Sequence, residues 1–572
     1  MKLNRNTTLC VCLALGLSLA VEPAKAQSKL DIEQADEDYI HTPSGFAAPG
    51  KAALATAPDS ATLNLTFIDD ATGKPTPCRV NVVGSDGHFY QPAANRLSQY
   101  SLTGQWPATG KGNRRGKAPV RYFGRFFYSA GETSLQVPPG STRIEVWKGF
   151  EHKPVTVSLA AFPSKEHRVK VQLRRTVSAA DLGYYSGDTH LHMERATEAH
   201  ENDIFNLLEA EDVRYGGVLC YNPTSSYSGQ MSAQEFQQLR GLGVSSIKRR
   251  GDYRIISGQE YRSGQYGHTK VFLADDLVQP GKSYDPNTWP VFGKAVSDIR
   301  ANGGLVFWAH GGYEKEIWAD YVLGGSDGIE LMQFGIYRPI GLAGWYRILN
   351  IGFPYPALGA SDYPPCRKFA DCRTYVHSET EPRIDDWLRL LAKGQSFFTT
   401  GPLLLLEVDG VKPGGAIPLS GKGPHYATAR VRVYSEVAPV TDLDLIVNGK
   451  TIATKSIKAD ESRGRWIELE KKISISESSW IAARAHSKAP TGSPDAEAHT
   501  NPVHIYVNGK APYNEANLNW LLGKLDGQIK AHVNRKFPPR APIGAKTKAV
   551  GYFKGARERL IEIRAQGGQQ AP

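Results

Sequence analysis

No apolar run beyond residue 20 is long enough to cross a bilayer as a helix, so no transmembrane segment is expected. Cysteine is scarce, with six in 572 residues. None stands at the candidate cleavage point after Ala26, so no lipid anchor is expected there. An excess of one charge is also missing from most of the chain. The net charge is +11, from 68 Lys and Arg against 57 Asp and Glu. Residues 1–26 hold Lys2, Arg5 and Lys25 against Glu22. Residues 510–572 hold twelve basic and four acidic residues, which leaves 27–509 nearly neutral. A nucleic-acid groove would need basic residues clustered along the body, so that class is disfavoured.

What is present points to a globular, exported chain. Apolar residues make up 41%, charged residues 22%, and there are ten Trp, which argues against a disordered or fibrous protein. The length predicts several domains. Lys2 and Arg5, the apolar stretch Leu9–Ala20 and Ala24-Lys25-Ala26 read in order as a signal peptide over 1–26. A periplasmic or secreted location follows. Cys10 and Cys12 leave with the signal, and Cys78, Cys220, Cys366 and Cys372 remain. An oxidising compartment permits a Cys366–Cys372 bridge, but spacing alone leaves two thiols equally open.

Composition divides the rest. Residues 27–58 read as a linker. Residues 59–176 alternate apolar and polar positions between turn signals such as Thr72-Gly73-Lys74-Pro75, which predicts a small β-sandwich. It resembles carboxypeptidase-regulatory-like domains. Over 177–400, short apolar runs alternate with helical stretches such as Ile204–Glu211 and Val291–Asn302, which predicts an α/β, parallel barrel-like fold. Residues 401–509 return to a β pattern and predict a second sandwich. In the tail, Leu518, Leu521, Leu522, Leu525 and Ile529 form a helical apolar stripe. A weaker stripe covers 554–564, crowded by Lys546, Lys548, Lys554, Arg557 and Arg559; the solvated face of packed helices is favoured over an anion-binding patch.

The chemistry concentrates in "GDTHLHMERATEAH" at 187–200. In a strand, side chains alternate faces, so His190 and His192 point the same way and can grip one metal ion. A lone pair of this kind is common on surfaces. Here "RIISGQEY" brings Glu260, "GHTKVFL" His268, "GGLVFWAHGG" His310 and "YPALGASDY" Asp362, each at or near the end of an apolar strand. In parallel barrels the C-terminal strand ends line the active-site mouth. A shared metal site is therefore a better reading than five separate core residues. Mixed imidazole and carboxylate donors suit Zn²⁺, Mn²⁺ or Fe²⁺ better than Mg²⁺.

The ordered motifs H-x-H, G-x-E, G-H, A-H and S-D, with "AEDV" and "GQSFFTTGPLLLLEVDG", resemble the PHP (polymerase and histidinol phosphatase) superfamily. The carbaryl-hydrolase-like branch (CehA/McbA-type metallohydrolases) is the nearer resemblance, over 177–420. It implies a distorted (β/α)7 TIM-like barrel between two small β-sandwiches, divalent metal, and hydrolysis of ester-like bonds. Three positions depart from the three-metal pattern of that family. Arg195 stands near an expected acidic residue, Cys220 and Asn222 stand where Asp-His is expected, and Pro364 stands in place of a last His. One or two metals are therefore expected, held by His190, His192, Glu260, His268, His310 and Asp362, with Glu260 bridging.

The expected reaction is attack by hydroxide, generated at neutral pH by the metal, on a phosphoester, carboxylic ester, carbamate or amide. Asp362, His310 and His268 are the candidate proton-transfer groups. Arg195, Tyr221 and Arg367 are candidate contacts for a small-molecule or glycan-linked substrate. Arg195 could also fill the vacant cation position, or equally form a surface salt bridge, and His200 is placed on a helix outside the site. Trp289, Trp308 and Trp318 could line a pocket, although core packing suits Trp308 better. The alternative is a non-catalytic cell-envelope binding protein whose barrel has eroded between two carbohydrate- or protein-binding sandwiches.

Overall fold

A computed structural model describes residues 59–102, 125–221, 240–275, 277–278, 287, 299–333, 336–364, 368–458, 461–487, 496–539 and 541–572. The signal peptide, the 27–58 linker, Cys366, Arg367, Asn222, Trp289, positions 291–298 of the second helical stretch and the side chain of Tyr221 lie outside the described residues.

The alternating pattern of the first domain folds as two facing sheets. Ala61–Asp69 pairs antiparallel with Glu132–Val137 and parallel with Glu166–Leu173. Cys78–Val83 pairs with Phe89–Tyr90, Phe127–Ser129 and Gly140–Trp147, which continues to Val155–Ala161. Leu63, Leu65, Phe67, Val80, Val82 and Ile144 share one buried core between them.

The central region corrects the (β/α)7 barrel expectation. Of the described residues 42% are strand and 22% helix, and they form no (β/α)7 barrel. Tyr184–Leu191, Tyr215–Tyr221 and Tyr253–Ser263 do run parallel, as do Leu305–Trp308, Gly328–Gln333 and Ala357–Ala360. Between the two groups lies Gly267–Phe272, antiparallel to both neighbours and joined to the preceding strand by a tight hairpin. Arg373–His377 then runs antiparallel to Tyr184–Leu191, and Ser396–Thr399 runs antiparallel to Arg373–His377. The sheet continues without a break into the expected second sandwich, because Ser396–Thr399 pairs with Glu497–Thr500. From there it runs through Ser479–His486 and Asp442–Val447 and curls round on itself. A three-stranded sheet of Leu403–Val408, His425–Tyr434 and Trp466–Ile475 covers this part across a common apolar core.

Strands buried on both faces read as continuous apolar runs whatever the direction of their neighbours. Tyr184–Leu191, Gly267–Phe272 and Gly328–Gln333 are all buried throughout, which is why pattern alone favoured a parallel arrangement.

Helices fill gaps around this sheet. Glu198–Ala210 is capped by Thr197, whose side chain accepts from the His200 N–H, and buries Ile204, Leu207 and Leu208. Glu515–Asn534 and Ala545–Ala565 bury Leu518, Leu521, Leu522 and Leu525 against Phe553, Leu560 and Ile563, in one core with Trp308 and Trp318. Lys546, Lys548, Lys554 and Arg559 face outward, and Arg557 pairs with Asp526 at 2.6 Å. No helix among the described residues is long and apolar enough to cross a membrane.

The strand carrying the H-x-H motif is pressed against the outer helix Ile384–Ala392. A Cβ at Gly187 would lie 2.5 Å from Trp387, whose indole donates to the Tyr185 carbonyl at 2.8 Å. Gly187→Ala overpacks this contact and is expected to cost about 1–3 kcal/mol, read as a lower urea midpoint. An unchanged midpoint would contradict such tight packing.

Candidate metal centre

The alternation expected for the H-x-H strand places His190 and His192 side by side. Their Nε2 atoms are 3.1 Å apart. The opposite ring nitrogens are both occupied. His192 Nδ1 donates to the Leu219 carbonyl at 3.2 Å, and His190 Nδ1 lies 2.8 Å from Glu330 Oε2. A carbonyl and an ionised carboxylate only accept, so both imidazoles carry a proton on Nδ1 and face inward with Nε2.

Carboxylates converge on the same point. Glu260 Oε2 is 3.1 Å from His192 Nε2, and Asp362 Oδ1 is 3.3 and 3.4 Å from the two Nε2 atoms. The other oxygen of Glu260 faces a second group, 3.0 Å from both His268 Nδ1 and His310 Nε2 and 3.7 Å from His190 Nε2. His190, His310 and Asp362 also lie within reach of one ion, so three overlapping ligand triads share these six residues. All are buried except His192, which is partly exposed.

Each ligand is set by its local chain. Glu260 is not at a strand end, as the sequence suggested. It lies before the hairpin, paired with Lys270, and Arg262 pairs with His268. The hairpin thereby turns Glu260 and His268 toward one another. His310 follows Leu305–Trp308 and has φ 40°; Asp362 follows Ala357–Ala360 and has φ 54°. Left-handed backbone at a residue with a Cβ costs on the order of 1–3 kcal/mol and persists where surrounding structure enforces it. Two of the six ligand candidates are held this way. Asp188 Oδ1 accepts from the backbone N–H of His190 and of Ser361, both at 3.1 Å, which joins the two ligand-bearing segments.

Electrostatics follow the same plan. Burial works against a charge on His190, yet the Asp362 and Glu330 carboxylates hold its pKa well above the imidazole range. Burial would raise Glu260, but Arg262 and the surrounding histidines hold it well below the carboxylate range. Burial pushes His268 down to about 3 and Asp188 up to about 6. The cluster therefore draws positive charge to its centre, at His190, and keeps Glu260 ionised.

The donor set fits a divalent ion. Tetrahedral sites with Zn–N of about 2.0–2.1 Å place neighbouring donors roughly 3.3 Å apart. His192 Nε2 lies 3.1 Å from His190 Nε2, 3.1 Å from Glu260 Oε2 and 3.4 Å from Asp362 Oδ1, and His190 Nε2 lies 3.3 Å from that Asp362 oxygen. Glu260 offers one oxygen to each of two neighbouring groups.

The other expected contacts separate. Arg195 is fully buried and spends its guanidinium on Glu201 (2.9 and 3.1 Å), Ser257 Oγ (2.7 Å) and the Ser246 carbonyl (2.5 Å). It is an internal salt bridge rather than a group offered to an anion. His200 sits on its helix near Glu194. Cys220 is buried with its sulfur 3.6 Å from the Gly258 carbonyl, and Cys372 is buried 3.8 Å from the Met332 carbonyl. Trp308 and Trp318 are core residues, less than 2% exposed.

Several residues escaped the sequence reading. Glu330 and Lys270 lie behind His190, and the Gln333 amide donates to Asp362 Oδ2. Lys270 sits two residues after His268, and Asp188 two before His190, on the same strand faces; that spacing was the available signal. Glu330 carried none, because "GIELMQ" reads as an ordinary buried strand.

No family model matches the chain. No curated protein matches it either. Among solved structures, the chain has a slight likeness to GBS52, the minor pilin of Streptococcus agalactiae. Identity is 12% and the TM-score 0.14, over 21% of this chain and 46% of that one. A likeness that small carries no argument about fold or function.

Proposed function

We propose that the protein is an exported, metal-dependent hydrolase acting on an ester-like bond. The observation that carries this is the convergence of two imidazole nitrogens and two carboxylate oxygens on one point. His190 and His192, with their outer nitrogens engaged by Glu330 and the Leu219 carbonyl, bring their Nε2 atoms within 3.1 Å of each other beside two carboxylate oxygens. Two carboxylates converging on two imidazole nitrogens favour positive charge at that point, which a bound divalent cation would supply. His190, His192, Glu260 and Asp362 would hold one ion, and Glu260, His268 and His310 a second. When bound, a divalent ion polarises a carbonyl or phosphoryl oxygen and brings the pKa of water to about 7. The chain's own groups orient and move protons. Asp362, fixed at Oδ2 by Gln333, would present Oδ1 to the ion. With only the first ion bound, His310, on the far side of Glu260, would be the group free to donate a proton to a leaving group. The ordered motifs that resemble the PHP superfamily support the same chemistry without depending on the barrel.

The test is metal analysis with a panel of phosphoesters, carboxylic esters, carbamates and amides on metal-reconstituted protein, beside His190→Ala and His310→Ala. One or two equivalents of Zn, Mn or Fe per chain are expected, with activity on one class and loss of it in both variants. A wild type indistinguishable from the variants on every substrate would establish the non-catalytic alternative. Three equivalents would refute the ligand count.

A further inference from the structure

Behind His190 lies a buried chain of polar groups that the ligand set does not use. Lys270 Nζ is 2.5 Å from Glu330 Oε2 and 2.9 Å from Thr189 Oγ1. The same Glu330 oxygen meets His190 Nδ1 at 2.8 Å. Lys270 and Glu330 side chains are 0% exposed, as is that of His190. Thr189 and His190 come from Tyr184–Leu191, Lys270 from Gly267–Phe272 and Glu330 from Gly328–Gln333. No two of these strands are hydrogen-bonded neighbours. The chain of contacts therefore crosses the interior of the curled sheet.

A buried ion pair is weak evidence for stability, since apolar replacement of both partners is often neutral or better. A carboxylate on the outer nitrogen of a metal-binding histidine has a specific use. It fixes the tautomer and ring orientation and makes the inner nitrogen a stronger donor. Resting on the metal-centre reading above, we propose that Glu330 and Lys270 are positioning residues for His190. Glu330 holds the Nδ1 proton and so directs the Nε2 lone pair inward. Lys270 balances the Glu330 charge and ties it to Thr189, on the strand that carries the histidine. His192 needs no such device, because its Nδ1 already donates to the Leu219 carbonyl.

The test compares Glu330→Gln, Lys270→Met and the double variant in the full chain. Zn²⁺ dissociation constants come from chelator competition, visible spectra from Co²⁺-loaded protein, and thermal midpoints from metal-free protein. Glu330→Gln is expected to weaken Zn²⁺ about 10–100-fold and to alter the Co²⁺ spectrum. Lys270→Met strands the Glu330 charge and is expected to lower the midpoint. The double variant is expected to regain the metal-free midpoint but not the Zn²⁺ affinity. Wild-type affinity and spectrum in the double variant would overturn the proposal while leaving the metal centre intact. So would an affinity loss that merely follows the midpoint across the three variants. A wild type that binds neither ion would overturn the metal-centre reading, and this proposal with it.

Discussion

Glu260→Gln is expected to reduce hydrolysis by about a thousandfold or more and to strip bound metal from the protein. Glu260 reaches both ligand groups, with Oε2 at His192 and Oε1 at His268 and His310. Glutamine keeps the shape but replaces one oxygen with an N–H₂ group, which points a donor at atoms arranged to accept a cation. Charge stabilisation by a bound metal supplies several kcal/mol to the transition state. At about 1.4 kcal/mol per factor of ten, losing roughly 4 kcal/mol gives the stated effect. Metal content after gel filtration and kcat/KM on the best substrate measure it together. Full metal content with wild-type turnover would remove Glu260 from the centre. The variant also removes the charge facing buried Arg262, whose Nε lies 3.8 Å from Glu260 Oε2, so the metal-free thermal midpoint is measured beside it to separate lost metal from lost fold.

The second large effect concerns stability. Glu211 follows the Glu198–Ala210 helix and is buried where the first sandwich meets the central sheet. Arg79 Nε and the Tyr128 hydroxyl both donate to it at 2.9 Å. Lys368 and Arg373 stand 3.7 and 3.9 Å away. Removing one member of a buried charge cluster leaves the others uncompensated, at a cost of about 3–5 kcal/mol. Glu211→Ala is thus expected to separate the first domain early, seen as a new low-urea transition and as cleavage after the 59–176 segment. A single transition at the wild-type midpoint would show that the cluster contributes little.

The same residue sets an acid limb. Burial would raise the Glu211 pKa, but Lys368, Arg79 and Arg373 hold it below its ordinary 4.5. The unfolded chain therefore takes up the proton first. The stabilisation is complete above about pH 4.5 and is lost as pH falls through the lower native value. Between pH 6 and 3 the wild-type midpoint should fall more steeply than that of Glu211→Ala. Parallel curves would exclude Glu211 as a contributor.

Much of the site was legible because period-two alternation is a local property. His190 and His192 had to share a face once they lay in a strand, and His268 opened its strand as read. Glu260 was chosen for a position it does not hold. It reads as the end of an apolar run, yet the strand continues to Ser263 and folds back, and this hairpin is what brings His268 to it. Arg195 shows the converse. Its position beside the motif suggested an anion contact, but Glu201, one helical turn into the next element, and Ser246 and Ser257, far along the chain, consume its donors.

By itself, the sequence determined that strands would be buried on both faces, that the chain would hold its excess charge at the ends, and which six side chains could serve as ligands. Each of these depends on a residue and its near neighbours. Tertiary structure alone decided the direction of strand pairing, the fusion of the central sheet with the later strands through Ser396–Thr399 and Glu497–Thr500, and the Glu330–Lys270 pair behind His190. Burial imposes the same apolar pattern on parallel and antiparallel strands, so pairing direction leaves no local trace. A polar contact between strands that are not neighbours leaves none either, because only closure of the sheet brings its partners together.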